Sequence, residues 1–105
     1  METITIPKGD IGFNLAFTIQ DSDGDAYNIG TYTVTLKMWE VGSPGTLLLE
    51  EECTETVAAS GTCYYTVETT SFDTVGRFRA ELELTTSTTI IESTEVFEII
   101  VVESG

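Results

Sequence analysis

The sequence predicts an all-β fold, an antiparallel β-sandwich of about seven strands with Greek-key links. Three observations lead there. Apolar residues occupy every second position at Phe13, Leu15, Phe17 and Ile19, again at Val34, Leu36 and Met38, and again at Phe78, Ala80, Leu82 and Leu84. A period of two places those side chains on one face of a strand and their polar neighbours on the other. The runs recur between Gly-, Asp- and Pro-containing turns at strand spacing. Threonine and β-branched residues, which fit a pleated surface, fill them, and no amphipathic helical stretch competes. A small closed barrel is the rival arrangement of the same pattern.

The elements follow in order. Thr3 to Ile6 alternates and reads as a short first strand, ended by Pro7-Lys8-Gly9-Asp10. Pro7 lacks the N–H that a ladder needs and suits a sheet edge. Gly12 to Gln20 is the second strand. Asp21-Ser22-Asp23-Gly24-Asp25 is a turn of residues that tolerate left-handed backbone. A connection over Tyr27 to Gly30 follows, with Ile29 turned inward. Thr33 to Val41 is the third strand, broken by Gly42-Ser43-Pro44-Gly45. Leu47 to Thr56 resumes an extended run, and Ala58-Ala59-Ser60-Gly61 turns it. Thr62 to Thr69 is the next strand, with Cys63, Tyr65 and Val67 on one face. Thr70 to Asp73 has the composition of a brief helical turn capped by Thr70 or Ser71. Gly76 to Thr85 is a strand turned by Thr86-Ser87-Thr88. Thr89 to Val102 closes the chain with Phe97, Ile99 and Val101 on one face. Its length predicts a bend or bulge near Ser93 to Glu95.

The 105 residues fit one domain, 1–105, large enough for a real core, and 41% hydrophobic content separates the chain from disordered sequences. No apolar run approaches the length of a membrane span. Met1-Glu2-Thr3 has neither the basic flank nor the apolar stretch of a signal peptide. The charge is lopsided, 18 acidic residues against 4 basic for a net −14. Such a surface repels phosphate backbones and anionic lipid, so neither nucleic acid nor membrane is an expected partner. Solubility is the plain reading of the charge. A salt-rich habitat is the minor alternative.

Candidate chemistry is sparse. Asp21, Asp23 and Asp25 surround Gly24, and calcium favours several carboxylate oxygens on a flexible loop. The glycine comes one place too early for an EF-hand loop, and Tyr32 stands where that loop ends in glutamate. A plain turn explains the segment better than weak cation binding does, and no metal or other cofactor is expected. Cys53 and Cys63 flank the turn at Ala58 to Gly61. Pairing centred near Ala58 would bring them face to face, as a cross-strand disulfide or as two free core thiols. Two cysteines without histidine make zinc implausible. Glu81 and Glu83 could supply acid–base chemistry but read as solvated charge on a polar strand face. The chain has no histidine to activate a serine, so no enzyme activity is expected.

The polar faces hold one more clue. Thr33, Thr35, Lys37 and Trp39 oppose the apolar set of their strand, as Arg77, Arg79, Glu81 and Glu83 do on theirs. In a sandwich with immunoglobulin-like order these two strands pair. Lys37, Arg77, Arg79 and Trp39 then share one outer face. Cross-strand pairing of the cations with glutamates is one explanation. A docking face is the other, since an exposed Trp beside arginines has the character of an interface anchor.

Five segments taken in order carry a family likeness: Gly12 to Ile19, Asp21 to Ile29, Tyr32 to Trp39, Gly61 to Val67 and Asp73 to Leu84. Together they resemble the immunoglobulin-like N-terminal domain of phage baseplate upper proteins, over nearly the whole chain. Asp73 to Ala80 also echoes the D-x-G-x-Y-x-C corner of immunoglobulin domains. An extra residue precedes Gly76, Phe78 replaces the tyrosine and Ala80 the cysteine, so the corner's hydroxyl bond must be missing. The resemblance implies an immunoglobulin-like sandwich and a structural part of a virion tail or baseplate, made in the host cytoplasm. It implies other virion proteins, or further copies of the chain, as partners. Edge-to-edge strand pairing is one mode of contact open to such a domain. A secreted or cell-surface module for carbohydrate binding or adhesion is the alternative, with Trp39 and Tyr64 as its main aromatics on polar faces. A capsid decoration module is a third reading.

Overall fold

A computed structural model describes residues 3–9, 12–21, 23–43, 45–68, 72–86, 91–94 and 96–103. Nine strands are found among them: β1 (Thr3–Pro7), β2 (Asn14–Thr18), β3 (Thr33–Glu40), β4 (Leu47–Glu52), β5 (Thr54–Val57), β6 (Thr62–Thr66), β7 (Gly76–Thr85), β8 (Ile91–Ser93) and β9 (Phe97–Val102). They form two sheets. One is ordered β1-β9-β7-β3-β4, with β8 also on β7, and the other is ordered β2-β6-β5. Among the described residues no ladder joins the sheets, so the architecture is a sandwich and not the rival barrel. The pairs β1–β9, β3–β7 and β2–β6 join strands far apart in sequence, as in the Greek-key order of immunoglobulin-like domains.

The pair β3–β7 is the centre of the larger sheet. Its register runs unbroken from Thr33 opposite Thr85 to Glu40 opposite Phe78. The predicted apolar sets meet rung by rung: Val34 with Leu84, Leu36 with Leu82, Met38 with Ala80. All six are buried. Leu15 and Ile19 of the β2 segment, Cys63, Tyr65 and Val67 of the β6 segment, and Phe97, Ile99 and Val101 of β9 complete the core, together with Ile6 and Phe72. Ile29, read as tucked inward, is fully enclosed at 0% exposure.

The structure differs from the sequence reading in several places. β1 lies at the sheet edge, as Pro7 requires, but it pairs with β9 in parallel. The ladder of the second strand is confined to Asn14–Thr18, with Gln20 bridged separately to Ala26. The extended run from Leu47 to Thr56 is two strands in different sheets. The chain changes sheet at Cys53, whose N–H donates to the Val34 carbonyl at 2.8 Å. Both strands are largely exposed apart from the inward Leu49, so their periodicity held no sign of the crossing. The predicted turn at Ala58 is a 3-10 turn over Ala58–Ser60, closed by Gly61 at φ 72°. A Cβ on Gly61 would press against the backbone oxygens of Ile19 and Tyr27.

The bulge expected in the last strand is present. β8 and β9 lie along the same side of β7, and the register slips by one residue between them. Thr94 bridges the slip: its N–H donates to the Leu82 carbonyl at 2.9 Å, and its hydroxyl accepts from the Leu82 N–H at 3.0 Å. Glu95, the proposed caps Thr70 and Ser71, the turn residues Ser87 and Thr88, and Asp10, Ser22 and Pro44 lie outside the described residues.

Candidate interaction face

The outer face of the larger sheet gathers the four residues singled out in the sequence. β3 presents Lys37 and Trp39, and β7 presents Arg77 and Arg79, because the other parity of each strand is committed to the core. Trp39 stands opposite Arg79 on β7 and Leu47 on β4. It is half-buried on the outside of the sheet.

The cations are mostly engaged within the sheet. Lys37 Nζ lies 2.8 Å from Glu83 Oε2 and 3.7 Å from Glu50 Oε2. The hydrogen bond to Glu83 raises the Lys37 pKa, with burial opposing it. Arg77 Nη2 donates to Glu98 Oε2 at 2.8 Å. Cross-strand pairing therefore accounts for Lys37 and Arg77. Arg79 differs: its Nε is buried and, among the described residues, makes no hydrogen bond. Its register partners are Trp39 and Glu98.

Sequence reasoning missed the apolar flank of this face. Val41, two residues beyond Trp39, is 44% exposed, and Leu47, directly opposite Trp39, is 40% exposed. Leu48 is exposed beside them and lines a small cleft of about 150 Å³ with Met38, Phe72 and Phe78. The available signal was Leu47-Leu48-Leu49: simple alternation would bury Leu47 together with Leu49, but the register shift between Met38 and Trp39 leaves Leu47 exposed opposite Trp39. Trp39, Val41 and Leu47 thus form an exposed apolar corner beside Arg79. Desolvated aromatic and arginine side chains of this kind are the usual anchors of protein interfaces. The other aromatic singled out, Tyr64, lies on β6 in the opposite sheet, so the two do not form one sugar-stacking platform.

The remaining candidates sit elsewhere. Asp21 Oδ1 accepts the N–H groups of Asp23 at 2.9 Å and Asp25 at 3.0 Å, which is the local bonding of an Asx-type turn. The three exposed carboxylates lie within 4.8 Å of one another. Cys53 and Cys63 are free, buried thiols in hydrogen-bonding contact. They are not directly opposite, as pairing about Ala58 would require. Cys63 faces Glu55 across the β5–β6 ladder, and a register shift lies between Glu55 and Val57. This sets Cys53 one diagonal step away on the same face. The hydrogen bond to Cys63, together with burial, pushes the Cys53 thiol well up. Glu81 and Glu83 are half-buried on the outer face, and Glu83 serves Lys37.

No protein-family model matches the sequence, and no match was found among curated proteins. Among solved structures, the fold matches the N-terminal domain of phage TP901-1 ORF48, with TM-score 0.76 and 20% identity over 97% of this chain and 85% of that one. A looser match is to extracellular domains 3-5 of Drosophila OTK, with TM-score 0.38 and 14% identity over 99% of this chain and 33% of that one.

Proposed function

We propose that the chain is a non-enzymatic structural module of a phage tail or baseplate, working by contact with neighbouring virion proteins. The observation that carries this reading is the shared fold with the N-terminal domain of phage TP901-1 ORF48 along almost the full chain. The segment-by-segment resemblance to baseplate upper proteins supports it. The contact surface is the outer face of the larger sheet, anchored by Trp39, Val41 and Leu47 with Arg79 beside them. The net charge of −14 favours partners that present basic or apolar surface there.

An antibody against the chain, applied to purified particles from the source culture, tests the location: labelled tails are expected, and unlabelled particles overturn the reading. Trp39→Ala tests the face. It should weaken incorporation while changing folding stability by less than about 1 kcal/mol, as an outer-face substitution should. Incorporation at the level of the unchanged chain removes this face from the account.

A further inference from the structure

A second contact surface lies on the other sheet. β2 pairs with β6 and, among the described residues, with no strand on its other side. Ile19 N–H donates to the Gly61 carbonyl at 2.8 Å, and Val67 N–H donates to the Phe13 carbonyl at 2.9 Å. The bonded rungs therefore fall at odd-numbered residues. Alternation in an antiparallel ladder then turns the N–H and C=O groups of Asn14, Ala16 and Thr18 away from β6.

This edge borders a cleft of about 500 Å³ between the two sheets, walled by Ile4, Phe17, Ile19, Leu82, Val96 and Phe97. Phe17 belongs to the core-facing set of its strand. It is nevertheless only half-buried, with its ring centroid 5.7 Å from that of Phe97. In immunoglobulin-like sandwiches a first strand lies beside the counterpart of β2. Here β1 is committed to β9.

We propose that β2 is a receptor edge for an extended segment of another protein, in which apolar residues alternate with Lys or Arg. Added as a fourth strand, the segment pairs with the free amides of Ala16 and Thr18 and places its apolar side chains in the cleft. Charge selects the partner. Lys37, Arg77 and Arg79 lie on the outer face of the larger sheet, and no cation lines the cleft. The carboxylates of Asp21, Asp23 and Asp25 stand just past the end of β2. A second copy, itself carrying −14, would be repelled. The inference goes beyond the tail-module reading and stands on this edge whatever particle the chain serves.

The test uses the full chain and the peptide Val-Lys-Val-Lys-Val-Lys-Val, followed by amide NMR and hydrogen exchange. Exchange at Ala16 and Thr18 should slow at least about tenfold on binding, while amides of β4 and β5 stay unchanged. A peptide N-methylated along its pairing edge keeps its charge and side chains. It should bind at least about tenfold more weakly, and a Glu-for-Lys peptide weaker still. Ala16→Pro removes an outward donor and no β6 bond, and should abolish the protection. The N-methylated peptide decides the matter even if that variant does not fold. No binding of the Val-Lys peptide at millimolar concentration overturns the proposal. So does binding indifferent to N-methylation, or protection at another sheet edge.

Discussion

β3 and the β2 segment carry the same apolar alternation and come to different ends. Val34, Leu36 and Met38 are buried, whereas only Leu15 and Ile19 are buried along the second strand, with Phe13 and Phe17 half-covered. The difference is one of neighbours. β3 is flanked by β7 and β4 and faces the opposite sheet, so water is excluded from three directions. Among the described residues, β2 is flanked by β6 alone. Alternation assigns a side chain to a face of the sheet. Flanking strands decide whether that face is dry.

Four variants break or sharpen this comparison. The largest effect belongs to the centre. Leu36→Ala removes a fully enclosed side chain opposite Leu82 and should cost about 3 kcal/mol in urea unfolding. The matched edge change, Val57→Ala at a residue 52% exposed, should cost less than about 0.5 kcal/mol. Similar losses at the two sites would mean that flanking does not set the energetics.

Next is Gly61→Ala, at the turn between the edge strand β5 and β6. The left-handed φ of 72° and the nearby Ile19 and Tyr27 oxygens leave no room for a Cβ. A loss of about 2 kcal/mol is expected by thermal or urea unfolding, more than a strained φ alone would cost. A neutral result would show that this end of the small sheet yields freely.

A smaller effect than at Gly61 falls on the polar side of the centre. Lys37→Met removes the partner of Glu83 and should cost about 1 kcal/mol, since both side chains are largely shielded. Folding raises the Lys37 pKa, so the folded chain holds that proton more tightly than the unfolded one. The contribution is complete below the ordinary value near 10.5 and fades as pH rises through the folded value. The stability gap between the unchanged chain and Lys37→Met should therefore narrow above about pH 10.5. A gap that is constant with pH would assign the effect to packing of the lysine stem.

Several parts of this molecule could be read from the chain. The alternation at Val34 to Met38 and Phe78 to Leu84 names residues that are buried. The long final run announced the register slip spanned by Thr94, and the parity of Lys37, Trp39, Arg77 and Arg79 placed them on one outer face. The candidate site was legible to that extent. Its apolar flank at Val41 and Leu47 was not, since only the register across β3–β4 sets Leu47 opposite Trp39. Cys53 shows the same limit. Its inward face was foreseeable, but its diagonal relation to Cys63 follows from the one-residue shift in the β5–β6 ladder.

The amino-acid order by itself determined which side chains face inward, where the chain turns, and that the surface is strongly acidic. These are local properties, set by a two-residue period and by the backbone preferences of Gly, Pro and Asp. The tertiary structure decided that β1 runs parallel to β9, that the chain changes sheets at Cys53, and that β2, among the described residues, pairs only with β6. Those outcomes depend on backbone hydrogen bonds between residues far apart in sequence. Every strand offers the same N–H and C=O groups to any neighbour, so only the assembled fold determines which of them are used.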